Sequence, residues 1–178
     1  MNLNHFPEIK TERLLLRRLK QSDWEMISYL RSDRGVNEFV KRPSAESKEK
    51  AIEFILKTNK AIEKRNLYYW AIAEIISAQM IGSICLWNFS KDQKAAEVGY
   101  DLSPKYQGKG IMNESLKSIL EFGFKILNLD SIEAYTHKDN KSSKKLLERN
   151  RFKLVVNKKD KHNQDNIIYK LKKPVASY

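Results

Sequence analysis

Apolar positions along the chain alternate between two spacings. Residues 13–19, Arg-Leu-Leu-Leu-Arg-Arg-Leu, form a short apolar run that predicts a first strand. Ser22 followed three residues later by Glu25 has the spacing of a capping box, and Met26, Ile27 and Leu30 beyond it share a helical face. The polar stretch Arg31–Ser47, with Gly35 and Pro43, reads as a long loop. Between Lys48 and Lys64, Ile52, Ile55, Leu56 and Ile62 recur at helical spacing among Lys and Glu, which predicts an amphipathic helix. The spacing then shortens. Segments 68–76 and 80–89 are dense in β-branched and aromatic residues and are separated by Ser77-Ala78-Gln79, so they predict a hairpin. A third strand, 95–102, follows the turn at 91–94 and ends before Pro104.

From Gly108 to Leu127 the helical spacing returns, with Met112, Leu116, Ile119, Leu120 and Gly123 on one stripe. A short strand over 131–136, a short helix over 141–149 led by Asn140, and two strands (152–156 and 167–171) around the polar hairpin 157–166 complete the chain. The order β-α-α-β-β-β-α-β-α-β-β predicts one mixed α/β (α+β) domain: a twisted mixed sheet of about seven strands with flanking helices. The strands flanking helix 108–127 should pair parallel through a right-handed crossover. No repeat or linker divides the chain, so 1–178 reads as a single domain with its core over 11–172 and a loose tail after Lys173.

Composition narrows the class. A chain of 178 residues with 41% apolar and 31% charged residues has the make-up of one ordinary globular domain and argues against disorder. The single Cys85 excludes an intrachain disulfide and a Cys-rich zinc site, and with scattered His5, His137 and His162 no metal is expected. Met1–Lys10 has no apolar stretch of the signal-peptide kind and no run is long enough to span a membrane, so a cytoplasmic location without a membrane partner is expected. The net charge of +12 points to a polyanionic partner or to a solvated Lys-rich surface.

One segment carries chemistry. Gly108 and Gly110 bracket Lys109 between a strand and a long helix. The first amides of a helix have no partner within it, glycine lets an anion approach the backbone, and the helix dipole adds a favourable field, so the loop reads as a phosphate or pyrophosphate site. It is not a Walker loop, because Ile111 follows Gly110 where Ser or Thr is required. Nor is it a dinucleotide fingerprint, because Asn113 stands at the third Gly position.

The wider pattern, Pro104-x-Tyr106-Gln107-Gly108-Lys109-Gly110-Ile111-Met112-x-Glu114 after the strand Ala96-Glu97-Val98-Gly99-Tyr100, resembles the GNAT (Gcn5-related) N-acetyltransferases. The opening Thr11-Glu12-Arg13-Leu14-Leu15-Leu16-Arg17 and the later Asn140-x-x-Ser143-x-x-Leu146-Leu147-Glu148 resemble the family's ribosomal-protein N-terminal (RimJ/RimL-like) branch. The resemblance implies a GNAT-like fold with acetyl-CoA as acyl donor. It places the pyrophosphate on the amides of Gln107, Gly108, Lys109, Gly110, Ile111, Met112 and Asn113. It runs the pantetheine arm beside Tyr100, Asp101 and Leu102 like an added strand, with Asn140 and Ser143 flanking the thioester end. Two positions depart from the pattern: Met112 stands at the final Gly/Ala position, and Arg151 replaces the Gly that usually precedes Phe152, which implies a different turn or modest strain there.

A thioester is already activated, so an amine can attack it directly; the enzyme must supply a base for the amine and a proton for the departing thiolate. Glu97 is the candidate base, on the same strand face as Gly99 and Asp101. Ser143 is the candidate to bind the sulfur or donate to the thiolate, with Tyr100 and Tyr106 as alternative acids. Asn140 also has the position of a helix N-cap. Cys85 reads as a buried, inert thiol. The acceptor site is expected from loop 31–47, the hairpin-strand ends Tyr68, Tyr69, Trp70, Trp87 and Asn88, and hairpin 157–166, the alternative being that the aromatics are core residues. The acceptor amine is read as a protein N-terminus. A small-molecule amine such as an antibiotic or polyamine, a nucleic-acid- or ribosome-binding module, and a non-catalytic acyl-CoA sensor are the competing readings. Weak contact with RNA, and a monomeric or homodimeric state, are left open by the residues.

Overall fold

The computed structural model describes residues 6–174; His5 and the end of the tail, 175–178, lie outside the described residues. The chain begins with two short strands, β1 (Ile9–Lys10) and β2 (Leu14–Arg17), followed by helices α1 (Trp24–Ser32) and α2 (Lys48–Glu63). The meander β3 (Tyr68–Glu74), β4 (Met80–Trp87) and β5 (Ala95–Leu102) leads through a 3-10 turn at Pro104–Tyr106 into α3 (Ile111–Glu121), which is extended by one π-turn to Ile126. Strand β6 (Ser131–His137), helix α4 (Lys141–Arg149) and strands β7 (Lys153–Leu154) and β8 (Asn166–Lys172) follow. All strands join one eight-stranded sheet in the order β1-β2-β3-β4-β5-β6-β8-β7. The expected elements are present, with β1 as an additional two-residue edge strand.

The sheet is buried on both sides, because strand alternation sends apolar side chains both ways. Trp70, Ile72, Ile84, Leu86 and Val98 pack with Leu116 and Ile119 of α3 and Leu147 of α4. On the opposite face Ala71 and Met80 pack with Ile27 and Leu30 of α1 and Ala51 and Ile55 of α2.

Two local expectations are corrected. Ser22 and Glu25 do not form the capping box: α1 starts at Trp24 after a 3-10 turn, and Asp23 organises the entry. Its carboxylate accepts the Lys20 amide at 2.7 Å and both terminal nitrogens of Arg17 at 2.8 Å, so a buried ion pair sets where the helix begins. At the end of α4, of the two alternatives expected for Arg151, a different turn is the one overturned: the turn is unchanged and Arg151 takes it with strain. Its φ is +65°, its amide donates to Glu148 at 2.9 Å, and the Phe152 amide donates to Leu147 at 3.1 Å. That is the left-handed ending usually given to glycine, here carried by a side chain with the associated strain.

Candidate active site

The site forms where two neighbouring parallel strands part. β5 and β6 pair at Ala95–Ser131, Ala96–Ile132 and Glu97–Glu133, and the pairing stops there. Beyond that point β5 stays on β4 through Leu102, while β6 stays on β8 through His137. The strands therefore open into a V, and the backbone groups of residues 98–102 that would have bonded β6 face the gap. Tyr100, Asp101 and Leu102, where an added strand is expected, lie on this open edge of β5.

Alternation divides the V into two sides. Tyr100 points to the side of α3 and α4, where its hydroxyl lies 2.8 Å from the Ser143 hydroxyl. Burial pushes the Tyr100 phenol up to about 12 against the effect of the Ser143 bond, so it remains a proton carrier at neutral pH. Ser143 is held in turn by the cap of α4: its amide donates to the Asn140 side chain at 3.0 Å. Asn140 thus fulfils its capping role.

The loop preceding α3 lies on the same side. Gly108 and Gly110 have φ of +73° and +76°. A Cβ on Gly108 would meet open space, so backbone conformation rather than crowding calls for glycine there. Among the described residues, the amides of Gly108, Lys109 and Gly110 and of Ile111, Met112 and Asn113 in the first turn of α3 have no protein acceptor. Six successive donors without a protein acceptor at the start of a helix fit an anion such as a diphosphate. Gln107 differs from expectation: its amide donates to Pro104 at 3.2 Å and its side chain to the Leu102 carbonyl at 3.1 Å, so it braces the loop instead of presenting an amide. Asn113 additionally accepts from Asn150 at 2.9 Å, tying the start of α3 to the end of α4. The Lys109 ammonium lies 5.5 Å over the Tyr106 ring.

The N-terminal segment clamps this loop, a contact that no local pattern announces. Thr11 donates to Glu114 at 2.6 Å, Arg13 Nε donates to the other carboxylate oxygen at 2.9 Å, and a terminal nitrogen of Arg13 donates to the Lys109 carbonyl at 3.2 Å. Burial alone would raise the Glu114 carboxyl, but the Thr11 and Arg13 bonds hold it below its ordinary value.

The opposite side carries a pair of neighbouring carboxyl groups. Glu97 and Glu133 stand side by side at the vertex, in register with Trp87 on β4 and Lys170 on β8. Their environments separate them. Burial pushes the Glu97 carboxyl up, the Asn88 side chain (2.6 Å) opposes this, and Glu133 reinforces it. Glu133 would be raised by its own burial, but the ammonium groups of Lys158 and Lys170 hold it low. The two neighbouring carboxyls are thus shifted in opposite directions, Glu97 up and Glu133 down. Asn88, expected at the acceptor, donates to the Glu97 carboxyl from a left-handed turn at φ +48°. Trp87 is half exposed beside it.

Farther along β5, Asp101 sends its side chain to this same side. It accepts from Ser83 at 2.5 Å and from Arg42 at 2.7 Å, and Tyr69 donates to Ser83 at 2.7 Å. Tyr69 packs edge-on against Phe54, so it is a wall residue tied into this chain of bonds. Cys85 sits on the same face opposite Gly99, and burial pushes its thiol up to about 12, which keeps it protonated and inert at neutral pH. Arg42, Ser83, Glu133 and Lys158 carried no signal in the sequence, because their partners lie in distant segments.

The family model described as an acetyltransferase (GNAT) domain matches residues 13–153. Among characterised and catalogued proteins, the chain is 29% identical over 142 residues to an uncharacterized N-acetyltransferase, YoaA, of Bacillus subtilis, covering 80% of each chain. A ribosomal-protein-S5-alanine acetyltransferase from Vibrio fischeri superposes with a TM-score of 0.81 at 24% identity, covering 94% of this chain and 97% of that one. A structure of RimL, a ribosomal L7/L12 α-N-protein acetyltransferase in complex with coenzyme A, also gives a TM-score of 0.81, at 19% identity and 93% and 98% coverage.

Proposed function

The chain belongs to the GNAT acetyltransferases, whose acyl donor is acetyl-CoA, and from that premise we propose that its acceptor is a protein N-terminal amine, attacked directly in a ternary complex. The observation that carries this reading is the division of the V: Glu97 lies on one side and the Tyr100–Ser143 pair on the other, so proton acceptor and proton donor flank a single gap. The likeness in fold to acetyltransferases that act on ribosomal-protein termini supports the choice of acceptor.

Each residue then has a task. The amides from Gly108 to Asn113 hold the pyrophosphate, and the open edge of β5 at Tyr100, Asp101 and Leu102 receives the pantetheine arm. Acetyl-CoA supplies the activated acyl group. Glu133 stays charged and attracts the protonated amine, and Glu97, directly or through water, removes the proton that blocks the lone pair. Tyr100, through its bond with Ser143, stands on the sulfur side as the proton source for the thiolate.

Incubating a peptide library and a set of small amines with isotopically labelled acetyl-CoA, read by mass spectrometry, tests the acceptor. Label on free peptide N-termini, and far less on lysine side chains or small amines, is the expected outcome. Label confined to small amines would replace the acceptor. Binding of acetyl-CoA without transfer to any amine would favour a sensor.

A further inference from the structure

The segment between α1 and α2 crosses the open end of the V. Its residue Arg42 donates through one terminal nitrogen to Asp101 on β5 (2.7 Å), through the other to the Leu30 carbonyl in α1 (2.7 Å), and through Nε to Asn37 (2.7 Å). Its residue Phe39 lies against His137 at the last position of β6, with ring centroids 5.3 Å apart. Asp101 and His137 both fall on the strand face that bears Glu97 and Glu133. The segment is thus fastened to both arms of the V, one arm by a charge-assisted bond and the other by ring contact. Its root is stapled to α1 by Arg31 donating to the Pro43 carbonyl (2.9 Å) and by a Ser32–Ser44 bond (2.9 Å).

From Glu97 to Asp101 is four residues of strand, about 13 Å at roughly 3.3 Å each. The acceptor compartment therefore has the vertex carboxylates at one end and a strap over the other. Hairpin 157–166 bounds its flank through Lys158 on Glu133 and Lys138 paired with Asp165. Strap and hairpin bound the approach along β5 at its end and flank, which favours an amine at the tip of a narrow, extended chain over one on a bulky body.

We propose that Arg42 is a positioning residue that sets acceptor selectivity: by joining Asp101, Asn37 and Leu30 it holds the 31–47 strap across the V, so that an amine reaches Glu97 only end-on. This rests on the acetyl-transfer reading given above. Arg42 touches neither reacting group and acts through the strap. Three bonds meet on one guanidinium fork, which makes lysine an incomplete substitute.

The test compares wild type, Arg42→Gln, Arg42→Lys and Phe39→Ala with two acceptors: a tripeptide amide with a free N-terminus, and cyclohexylamine. Loss of the latch should raise the peptide KM in Arg42→Gln by about tenfold or more, the scale of one charge-assisted bond. The kcat/KM ratio should move toward cyclohexylamine, with Arg42→Lys between the two and Phe39→Ala shifted in the same direction. The melting shift given by acetyl-CoA should stay at its wild-type size. An equal loss for both amines, or a lower Tm with unchanged KM, would show a merely structural role and overturn the proposal. Hydrogen exchange provides a reading independent of turnover: Arg42→Gln should speed exchange over residues 33–45 and leave β8 unchanged, and an unaltered strap would also overturn it. Failure of the acetyl-transfer reading has a different signature, a wild type that transfers to neither amine even though acetyl-CoA raises its Tm.

Discussion

The two sides of the V are built from different materials. The side facing α3 is mostly backbone: a contiguous stretch from Gly108 to Asn113 presents amides, and its shape depends on two left-handed glycines. The other side is almost all side chain. Arg42, Asn88, Glu97, Asp101, Glu133 and Lys158 come from five separate segments, and each has a charge or amide set against another. A backbone site binds an anion by conformation and tolerates changes in side-chain chemistry. A side-chain site sets protonation and selectivity, and each of its members matters by identity. Glu97 and Glu133 illustrate this, since neighbouring carboxylates are pushed in opposite directions by the groups around them.

The sharpest way to break this contrast is at the glycine. Gly110→Glu places a side chain and a negative charge at a φ of +76° in the amide cradle, and should abolish the rise in Tm given by acetyl-CoA; a retained shift would locate the phosphates elsewhere. Next in size is Glu97→Gln, which should leave that shift intact and lower kcat by about 10²- to 10⁴-fold. Because the Glu97 carboxyl is raised, and the ionised form is the base, wild-type kcat/KM should fall as pH drops through a point above the ordinary carboxylate range. The variant should lose that inflection and keep the one set by the acceptor amine, near 8 for an α-amino group. A wild-type pH profile in Glu97→Gln would remove it as the base. The smallest effect belongs to a position on neither side. Arg151→Gly relieves a left-handed arginine and should stabilise the fold by about 1 kcal/mol, raising Tm by about 2–4 °C with kinetic constants unchanged, as thermal unfolding beside steady-state rates would register.

Legibility in the sequence follows the same division. The meander, the strand 95–102 and the glycine loop were all readable because each depends on residues close together in the chain: alternation, turn residues and two glycines before a helix. The left-handed ending of α4 was only partly readable, since Arg151 stands where the family pattern has Gly and left a different turn and a strained one equally open. Ser22 and Glu25 misled because Arg17, one strand earlier, claims Asp23 and moves the start of α1. The acceptor side was only half readable. The strand face of Glu97 could be read from alternation, but Arg42 and Asp101 are 59 residues apart and Lys158 and Glu133 are 25 apart. No local periodicity records which distant charges will meet. Lysines in particular gave no guide in so basic a chain, where Lys158 looks like any other in its hairpin.

The clamp of Thr11 and Arg13 on Glu114 joins residues about a hundred positions apart, with Arg13 and Glu114 separated by 101. Contacts of such separation carry a loop-closure cost that short-range contacts avoid. A fragment holding the glycine loop and α3 would possess the motif without the brace that shapes it. The shape of the glycine loop therefore depends on an opening segment far away in sequence being in its place.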